Sequence, residues 1–506
     1  MKSIKLTIIM ICVISFSVIA GEISGQITDH QNTPISFVNV IIKENKLGTV
    51  TNDQGFFSFK NLENGNYTLV VSYIGYQTQE RKISLVKNEK LVRNFILAES
   101  DVMLSEVVVS SERSINEKKV SIGKMNIAPL DMPQSSYVID GVILEKQQTL
   151  RLSEVLQNVT GIYQMGSTGG YQEELGGRGF NFGNNNTFKN GVRFNNSIIP
   201  EISSLEKVEV LKGSSAILFG NVAAGGVLNL VTKKPKFENG GSWSLRTGSN
   251  EFYKPSFDIY GAFNNSNFAA YRIGMTYEKS NSFRDVVESE RTYFNPSFLF
   301  NLNDNTNLLI EGDYLHDIRT PDFGTGAINY SIAEVPRNRF LNVSWAKNEA
   351  EQTSATATLT HNLTSDWQLR FISGVQNYRA NQFGASRPNS GTGIIRSNGN
   401  WVRSTAKSSS TESYSLAQID VTGNLTMGSV KHQLLVGIDA DTKNGRSNAF
   451  ASVKYDSINI FDLNQYVQRN DIPNVNQTTY TLTGPRCNAI CFRLRTRMRS
   501  CNPSSR

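Results

Sequence analysis

From residue 237 onward the chain is written in segments of about ten residues that alternate apolar and polar at period two. In 269–278, Ala269, Tyr271, Ile273, Met275 and Tyr277 share one parity, and Ala270, Arg272, Gly274, Thr276 and Glu278 share the other. In 308–317, Leu308, Ile310, Gly312 and Tyr314 oppose Glu311, Asp313 and Asp317. Further on, Leu434, Val436, Ile438 and Ala440 oppose Gly437, Asp439 and Asp441. A period of two means extended strands with chemically different faces. Soluble sandwiches and propellers also alternate. Long segments with many charges on the polar parity favour a barrel whose apolar face meets lipid. No stretch after the N-terminus reaches roughly 18 apolar residues, so a membrane form of this chain has to cross as a closed β-barrel. Two Gly/Asn/Ser-rich connections, 318–335 and 379–410, are far longer than hairpin turns and are expected to be large loops.

The chain's ends carry its charge. The net charge is +7, but residues 1–20 hold Lys2 and Lys5 and residues 484–506 hold six Arg, with no acid in either; without those eight charges residues 21–483 carry −1. The high pI of 9.0 is therefore no sign of nucleic-acid binding. Cys12 lies in the N-terminal apolar run and Cys487, Cys491 and Cys501 lie in the tail, so the body has no disulfide framework and no thiolate metal site. His30, His316, His361 and His432 are scattered without ligand spacing. Residues 1–20 read as a signal peptide: Lys2 and Lys5, an apolar run from Leu6, and Val18-Ile19-Ala20 ahead of Gly21. Cys12 offers a lipoprotein signal as the rival, but Ile11 before it is bulky for that processing.

Residues 22–99 carry short β-rich runs separated by turn clusters such as Asn52-Asp53-Gln54-Gly55, the pattern of a β-sandwich. Gly25-Gln26-Ile27-Thr28-Asp29, residues 48–57 and Tyr73-Ile74-Gly75-Tyr76 resemble the carboxypeptidase-regulatory-like domain at the front of many outer-membrane receptors. That name implies no peptidase, since no metal ligands or nucleophile–base pair are present. Residues 100–127 are a polar linker around Leu104, Ser105, Glu106, Val107, Val108, Val109 and Ser110. Three successive valines favour an extended chain. The segment is either the last strand of the sandwich or an exposed strand that a periplasmic partner pairs with.

Residues 128–236 are expected to form an α+β globule. Leu152, Val155 and Leu156 have helical spacing, and glycine-punctuated strands follow. Met132-Pro133-Gln134-Ser135, residues 156–162, Gly177-Arg178-Gly179-Phe180, Asn190-Gly191-Val192-Arg193, residues 205–213 and residues 218–235 stand in order, and together resemble the plug of TonB-dependent receptors. The whole chain is thus expected to be mainly β: an N-terminal β-sandwich, an α+β plug, and an antiparallel transmembrane β-barrel over 237–483.

The resemblance implies a ferric-siderophore importer of the outer membrane. The partners would be TonB with its inner-membrane energising complex, a ferric siderophore and outer-membrane lipid. No resident cofactor or metal is implied, and 104–110 would be the TonB box. It implies that Arg178 and Lys212 pair with barrel carboxylates, although Lys212 lacks the planar fork of the arginine many relatives carry. Alternatively both charges meet luminal water. Tyr163, Phe180 and Phe182 are candidate ligand contacts, since aromatic faces suit aryl ligands; plug core is the alternative. Other readings of the chain are a SusC-like glycan or peptide importer and a surface-binding or sensory β-protein that does not transport. Enzymatic motifs are lacking: Gly176-Gly177-Arg178-Gly179 has neither the flanks nor the spacing of a dinucleotide fingerprint.

A family barrel of about 22 strands needs roughly 400 residues, whereas 270 follow the plug, enough for ten to twelve strands. The barrel is therefore expected to be incomplete. Residues 484–506 are expected to abandon the alternation as an aberrant tail, the mark of a frameshift or truncation, and a chain so ended is expected not to transport.

Overall fold

The structure is a computed structural model. It describes residues 21–98, 134–484 and 488–500, apart from residues 31, 46, 74–75, 77, 87–88, 184, 214–218, 220–221, 266, 392 and 428–429. The expected signal peptide and the segment 104–110 lie outside the described residues. The chain divides into two compact units, residues 1–112 and 113–506.

The first unit holds eight strands: β1 (Gly21–Thr28), β2 (Asn39–Ile42), β3 (Leu47–Val50), β4 (Phe56–Leu62), β5 (Gly65–Ser72), β6 (Gln79–Leu85), β7 (Lys90–Val92) and β8 (Phe95–Ile96). One sheet runs β4-β1-β7 with β8 also on β1, and the other runs β3-β2-β5-β6. Burial alternates without a break along β1. Ile23 and Ile27 thereby enter a core shared with Val40, Phe57, Leu69 and Phe95. Gly55 closes the Asn52 turn at φ +76, a conformation that would strain any side chain.

The second unit begins with the plug. Its elements are β9 (Ser136–Asp140), α1 (Gly141–Lys146), α2 (Leu152–Leu156), β10 (Ile162–Thr168), β11 (Gln172–Gly177), β12 (Phe180–Asn181), β13 (Thr187–Lys189), β14 (Val192–Arg193), β15 (Leu205–Lys212) and β16 (Gly226–Thr232). Leu152, Val155 and Leu156 are the buried face of α2, as their spacing predicts. The main sheet runs β14-β13-β16-β15-β9, and β10-β11-β12 form a small antiparallel sheet. Every residue of β16 is buried. Leu228 and Leu230 pack with the helices, while Val227 packs with Leu435 of the wall. A strand covered on both faces loses its alternation, which explains the unbroken apolar run Val227-Leu228…Leu230-Val231.

The wall comprises β17 (Gly240–Gly248), β18 (Phe252–Ala262), β19 (Ala269–Asn281), β20 (Glu288–Asn303), β21 (Thr306–Arg319), the small hairpin β22 (Ala327–Ile328) and β23 (Ser331–Ile332), β24 (Lys347–Asn362), β25 (Trp367–Ala385), β26 (Asn400–Met427), β27 (Val430–Phe450), β28 (Lys454–Asn459), β29 (Gln477–Thr483) and β30 (Asn488–Ser500). Twelve of them form one antiparallel meander, β17-β18-β19-β20-β21-β24-β25-β26-β27-β29, with β28 on β26 and β30 on β27. The sheet is open among the described residues: β17 pairs only with β18. Residues 304–305 and 363–366 make short links at one end, and 320–346, 386–399 and 451–476 make long connections at the other. The long loops are packed together: Arg403 forks onto Asp456 and donates to the Asn342 carbonyl at 2.9 Å, beside buried Trp401, Leu341 and Ile458.

Burial in the wall is inverted. Glu278, Arg291, Asp317, Gln352 and Asp420 are buried, while Trp243, Phe257, Met275, Val375 and Val436 are exposed. In water this arrangement wastes apolar burial and desolvates charge; around a polar interior, with lipid outside, both costs vanish. Among the described residues no helix is long and apolar enough to cross a membrane.

The tail differs from expectation. Asn488–Ser500 is a strand in register with β27, Ser500 opposite Val430 and Phe492 opposite Ile438. The alternation persists in its sequence: Ile490, Phe492, Leu494 and Met498 share one parity, and Arg493, Arg495, Arg497 and Arg499 the other.

Candidate functional site

The plug meets the inner face of the wall through buried charge. Glu201, in the segment before β15, binds Lys254 of β18 at 2.9 Å, and Lys254 reaches Glu278 of β19 at the same distance. Arg151, at the start of α2, forks onto Glu278 from the plug side at 2.5 and 3.2 Å. Lys189 of β13 sits 2.6 Å from Asp313 of β21 and 3.1 Å from the Tyr293 hydroxyl. Lys234, just past β16, meets Glu311 at 2.6 Å, and the Thr232 hydroxyl donates to the same carboxylate at 2.7 Å. Buried charges survive only when paired this closely. Burial alone would push the Glu201 carboxyl up, but Lys254 and Arg291 outweigh it and hold Glu201 below its ordinary value. Burial would likewise lower Lys189, and Asp313 reverses it, so the ammonium is held charged.

Among the described residues, the two expected to pair with barrel carboxylates have no such partner. Lys212 ends β15 facing the plug's own turn: its ammonium donates to the Thr160 carbonyl at 2.5 Å and lies 4.1 Å from the Tyr137 ring centroid. Arg178 is exposed, at φ +53 in the turn between β11 and β12. The role passes to Arg151, Lys189, Lys233, Lys234 and Glu201. The local signal for some of them was the Lys233-Lys234 pair directly after a fully buried strand.

Of the three aromatic candidates, Phe182 is 1% exposed and belongs to the plug core with Leu156 and Ile162. Tyr163 and Phe180 are 45% and 48% exposed on the small sheet. The apex of that sheet, rather than its aromatic base, reaches the long-loop end. The Arg319 guanidinium donates to the Gly170 carbonyl. The Asp322 amide donates to the Gly169 carbonyl at 3.3 Å, and the Tyr171 hydroxyl to Gln382 at 3.1 Å. Gly169 and Gly170 both have positive φ, and a Cβ on Gly169 would stand 2.7 Å from the Tyr171 ring. Beside this apex lies a cavity of about 520 Å³, lined by Thr168, Arg284, Arg319, Phe323 and Arg387 among others. Arg387 stacks over Phe323 at 4.8 Å, and Arg284 pairs with Asp322 at 2.9 Å. Arg319 is likewise paired, with Asp317, so the cavity's guanidinium groups are partly compensated and Arg387 is the one held by a ring rather than by a carboxylate partner among the described residues. Arg319 and Phe323 fall within the expected long connection 318–335 and Arg387 within 379–410, while Arg284 arrives from the link between β19 and β20.

Residues 23–109 match the model of the CarboxypepD_reg-like domain, and residues 128–227 match that of the TonB-dependent Receptor Plug Domain. The first match takes in 104–109, six of the seven residues of the candidate TonB box. The metal-pseudopaline receptor of Pseudomonas aeruginosa (strain UCBPP-PA14) is 30% identical over 242 residues, 47% of this chain and 34% of that receptor. The ferrioxamine B receptor of Salmonella typhimurium (strain SL1344) is 25% identical over 356 residues, 65% of this chain and 48% of that receptor. The chain thus spans between a third and a half of these curated relatives. The closed form of the ferric-catecholate import receptor of Escherichia coli K12 superposes with a TM-score of 0.63 at 20% identity, covering 71% of this chain and 53% of that one. The siderophore receptor PiuA of Acinetobacter baumannii gives 0.64 at 19%, covering 72% and 56%. The fold is therefore that of a receptor plug seated in a β-barrel wall.

Proposed function

We propose that the receptor to which this chain's plug and strand wall belong takes up ferric siderophores across the outer membrane, transport itself requiring a wall that closes. The observation that carries the reading is a matched plug domain held by buried ion pairs inside a wall whose outward face is apolar. Ferric complexes of catecholates and many related chelators are anionic, and the cavity lined by Arg284, Arg319 and Arg387, with Asp322 and Glu288 also on its walls, offers such a ligand guanidinium donors at the loop end. Tyr163 and Phe180 offer aromatic faces farther along the plug. The segment 104–110 serves as the TonB box. An outer membrane holds no energy source, so the partner must deliver work mechanically, by pairing with an extended segment and pulling.

The test is uptake of radiolabelled iron–siderophore complexes by iron-limited cells carrying this protein, with and without residues 104–110. Uptake lost with surface binding retained supports transport. Uptake that ignores the deletion, or an absence of binding to ferric catecholates, hydroxamates and mixed-donor chelates alike, overturns it.

A further inference from the structure

The cavity at the apex of the β10–β11 hairpin carries less net charge than its arginines suggest. Three guanidinium groups, Arg284, Arg319 and Arg387, and two carboxylates, Asp322 and Glu288, stand on its walls. Arg284 is taken up by Asp322 at 2.9 Å. Arg319 is forked onto Asp317 and also donates to the Gly170 carbonyl. At the apex itself the Thr168 hydroxyl turns to a further carboxylate, Glu174. Arg387 differs from the other two. It stands 4.8 Å from the Phe323 ring centroid and donates to the Tyr171 hydroxyl, with no carboxylate against it among the described residues. Phe323 is the only aromatic ring among the described lining residues, and Arg387 occupies its face. Much of the remaining surface is hydroxyl and amide, from Ser167, Ser280, Asn281, Ser289 and Thr320.

Ferric iron carries three positive charges. Three catecholates or three α-hydroxycarboxylates bring it six negative charges and leave a trianion, whereas three hydroxamates bring three and leave a neutral core. A trianion buried against one uncompensated cation strands charge, which is costly. It would also bring aryl rings to a wall whose single ring is already covered. A neutral core loses little on leaving water, and its carbonyl oxygens accept hydrogen bonds from hydroxyl and amide donors. Arg387 can then hold one carboxylate through paired N–H donors. We propose that this cavity selects ferric chelates with a neutral tris-hydroxamate core and one anionic tail, and that Arg387 is the specificity-determining residue that reads the tail. The selection rests on the uptake reading above and narrows its ligand.

Calorimetric titration of the full chain in detergent tests this on one scaffold in three charge states. The probes are the iron complex of desferrioxamine B with its amine free, acetylated or succinylated, which is cationic, neutral or singly anionic. The trianionic iron complex of a synthetic tris-catecholamide is the fourth. The succinylated form should bind at least about tenfold more tightly than the acetylated form, the effect of one charge-assisted contact, and more tightly than the catecholamide. Arg387→Gln should bring the succinylated and acetylated forms within about twofold of each other. Arg396→Gln removes an exposed arginine of the same loop that does not line the cavity, and should leave the preference intact. The readout is a ratio of two ligands on one variant, so a general loss of folded protein does not mimic it. Glu288→Gln, which removes a carboxylate from the wall, should improve the catecholamide relative to the acetylated form. A catecholamide or free-amine complex that binds as tightly as the succinylated one, or a preference that survives Arg387→Gln, overturns the charge selection and leaves the uptake reading standing. Binding of none of the four overturns both.

Discussion

Strands β18–β21 and strands β24–β27 face the same plug but hold it by different physics. The first group supplies Lys254, Asp258, Glu278, Arg291, Glu311 and Asp313, and nearly every one meets a plug charge or carbonyl inside a buried seam. The second group offers apolar contacts, Val192 against Ile372 and Leu416 and Leu211 against Leu435. It adds neutral or singly charged hydrogen bonds such as Asn195 to Gln376 and Glu412. Breaking a buried ion pair leaves an uncompensated buried charge, whereas apolar surfaces are non-directional and can slide. A plug pulled from the periplasm would therefore stay anchored to β18–β21 and part first from β24–β27.

The largest effect should come from Lys254→Ala. It strips the shared cation from Glu201 and Glu278 and should cost about 3–5 kcal/mol of plug seating. Limited proteolysis in detergent should then cut the plug far faster than in the parent. If Leu435→Ala frees the plug more than Lys254→Ala does, the asymmetry is wrong. Leu435→Ala opens a cavity against Leu211 and Val227 and should cost about 2–4 kcal/mol, read as a rise in hydrogen exchange along β15 and β16.

Acid should act first on the charged side. Glu201 titrates below its ordinary value of 4.5 in the folded protein because Lys254 and Arg291 outweigh its burial. A carboxylate depressed in this way contributes stability that is complete above its unfolded value and is lost as pH falls through the folded one. Between about pH 7 and pH 5 seating should be constant. Below about pH 4.5 the β18–β21 seam should gain hydrogen exchange before the Val192 and Leu435 contacts do; the reverse order would count against the comparison. The smallest effect is expected from Asn195→Ala, about 1 kcal/mol from the lost Glu412 hydrogen bond, visible only as faster exchange near residues 192–198.

Modest parts of this picture were legible without coordinates. The period-two alternation already sorted Arg272, Thr276 and Glu278 from Tyr271, Ile273 and Met275, and the structure buries Thr276 and Glu278 while leaving Met275 48% exposed. The helix at Leu152–Leu156 was likewise readable from its spacing, as was the order of the modules; of the two expected long loops, 318–335 falls almost wholly in the connection 320–346, whereas 379–385 and 400–410 are strand and only 386–399 is loop, because Asn- and Ser-rich sequence serves equally well on a polar strand face. These are local properties: a strand's parity and a helix's face repeat every two or every three to four residues, so neighbours in sequence suffice to reveal them.

Which charge meets which is another matter. Phe180 and Phe182 are two residues apart, yet one is exposed and the other seals the core, because β12 ends between them and the chain turns inward. Lys212 and Arg178 looked like the wall-facing cations, but Lys189 and Arg151 hold that position. Their partners Asp313 and Glu278 lie 124 and 127 residues away. Alternation states only that a residue points inward. What it finds there depends on the register of a twelve-stranded sheet and on how the plug is seated within it, and both are settled by the joint packing of distant segments, which no local pattern records.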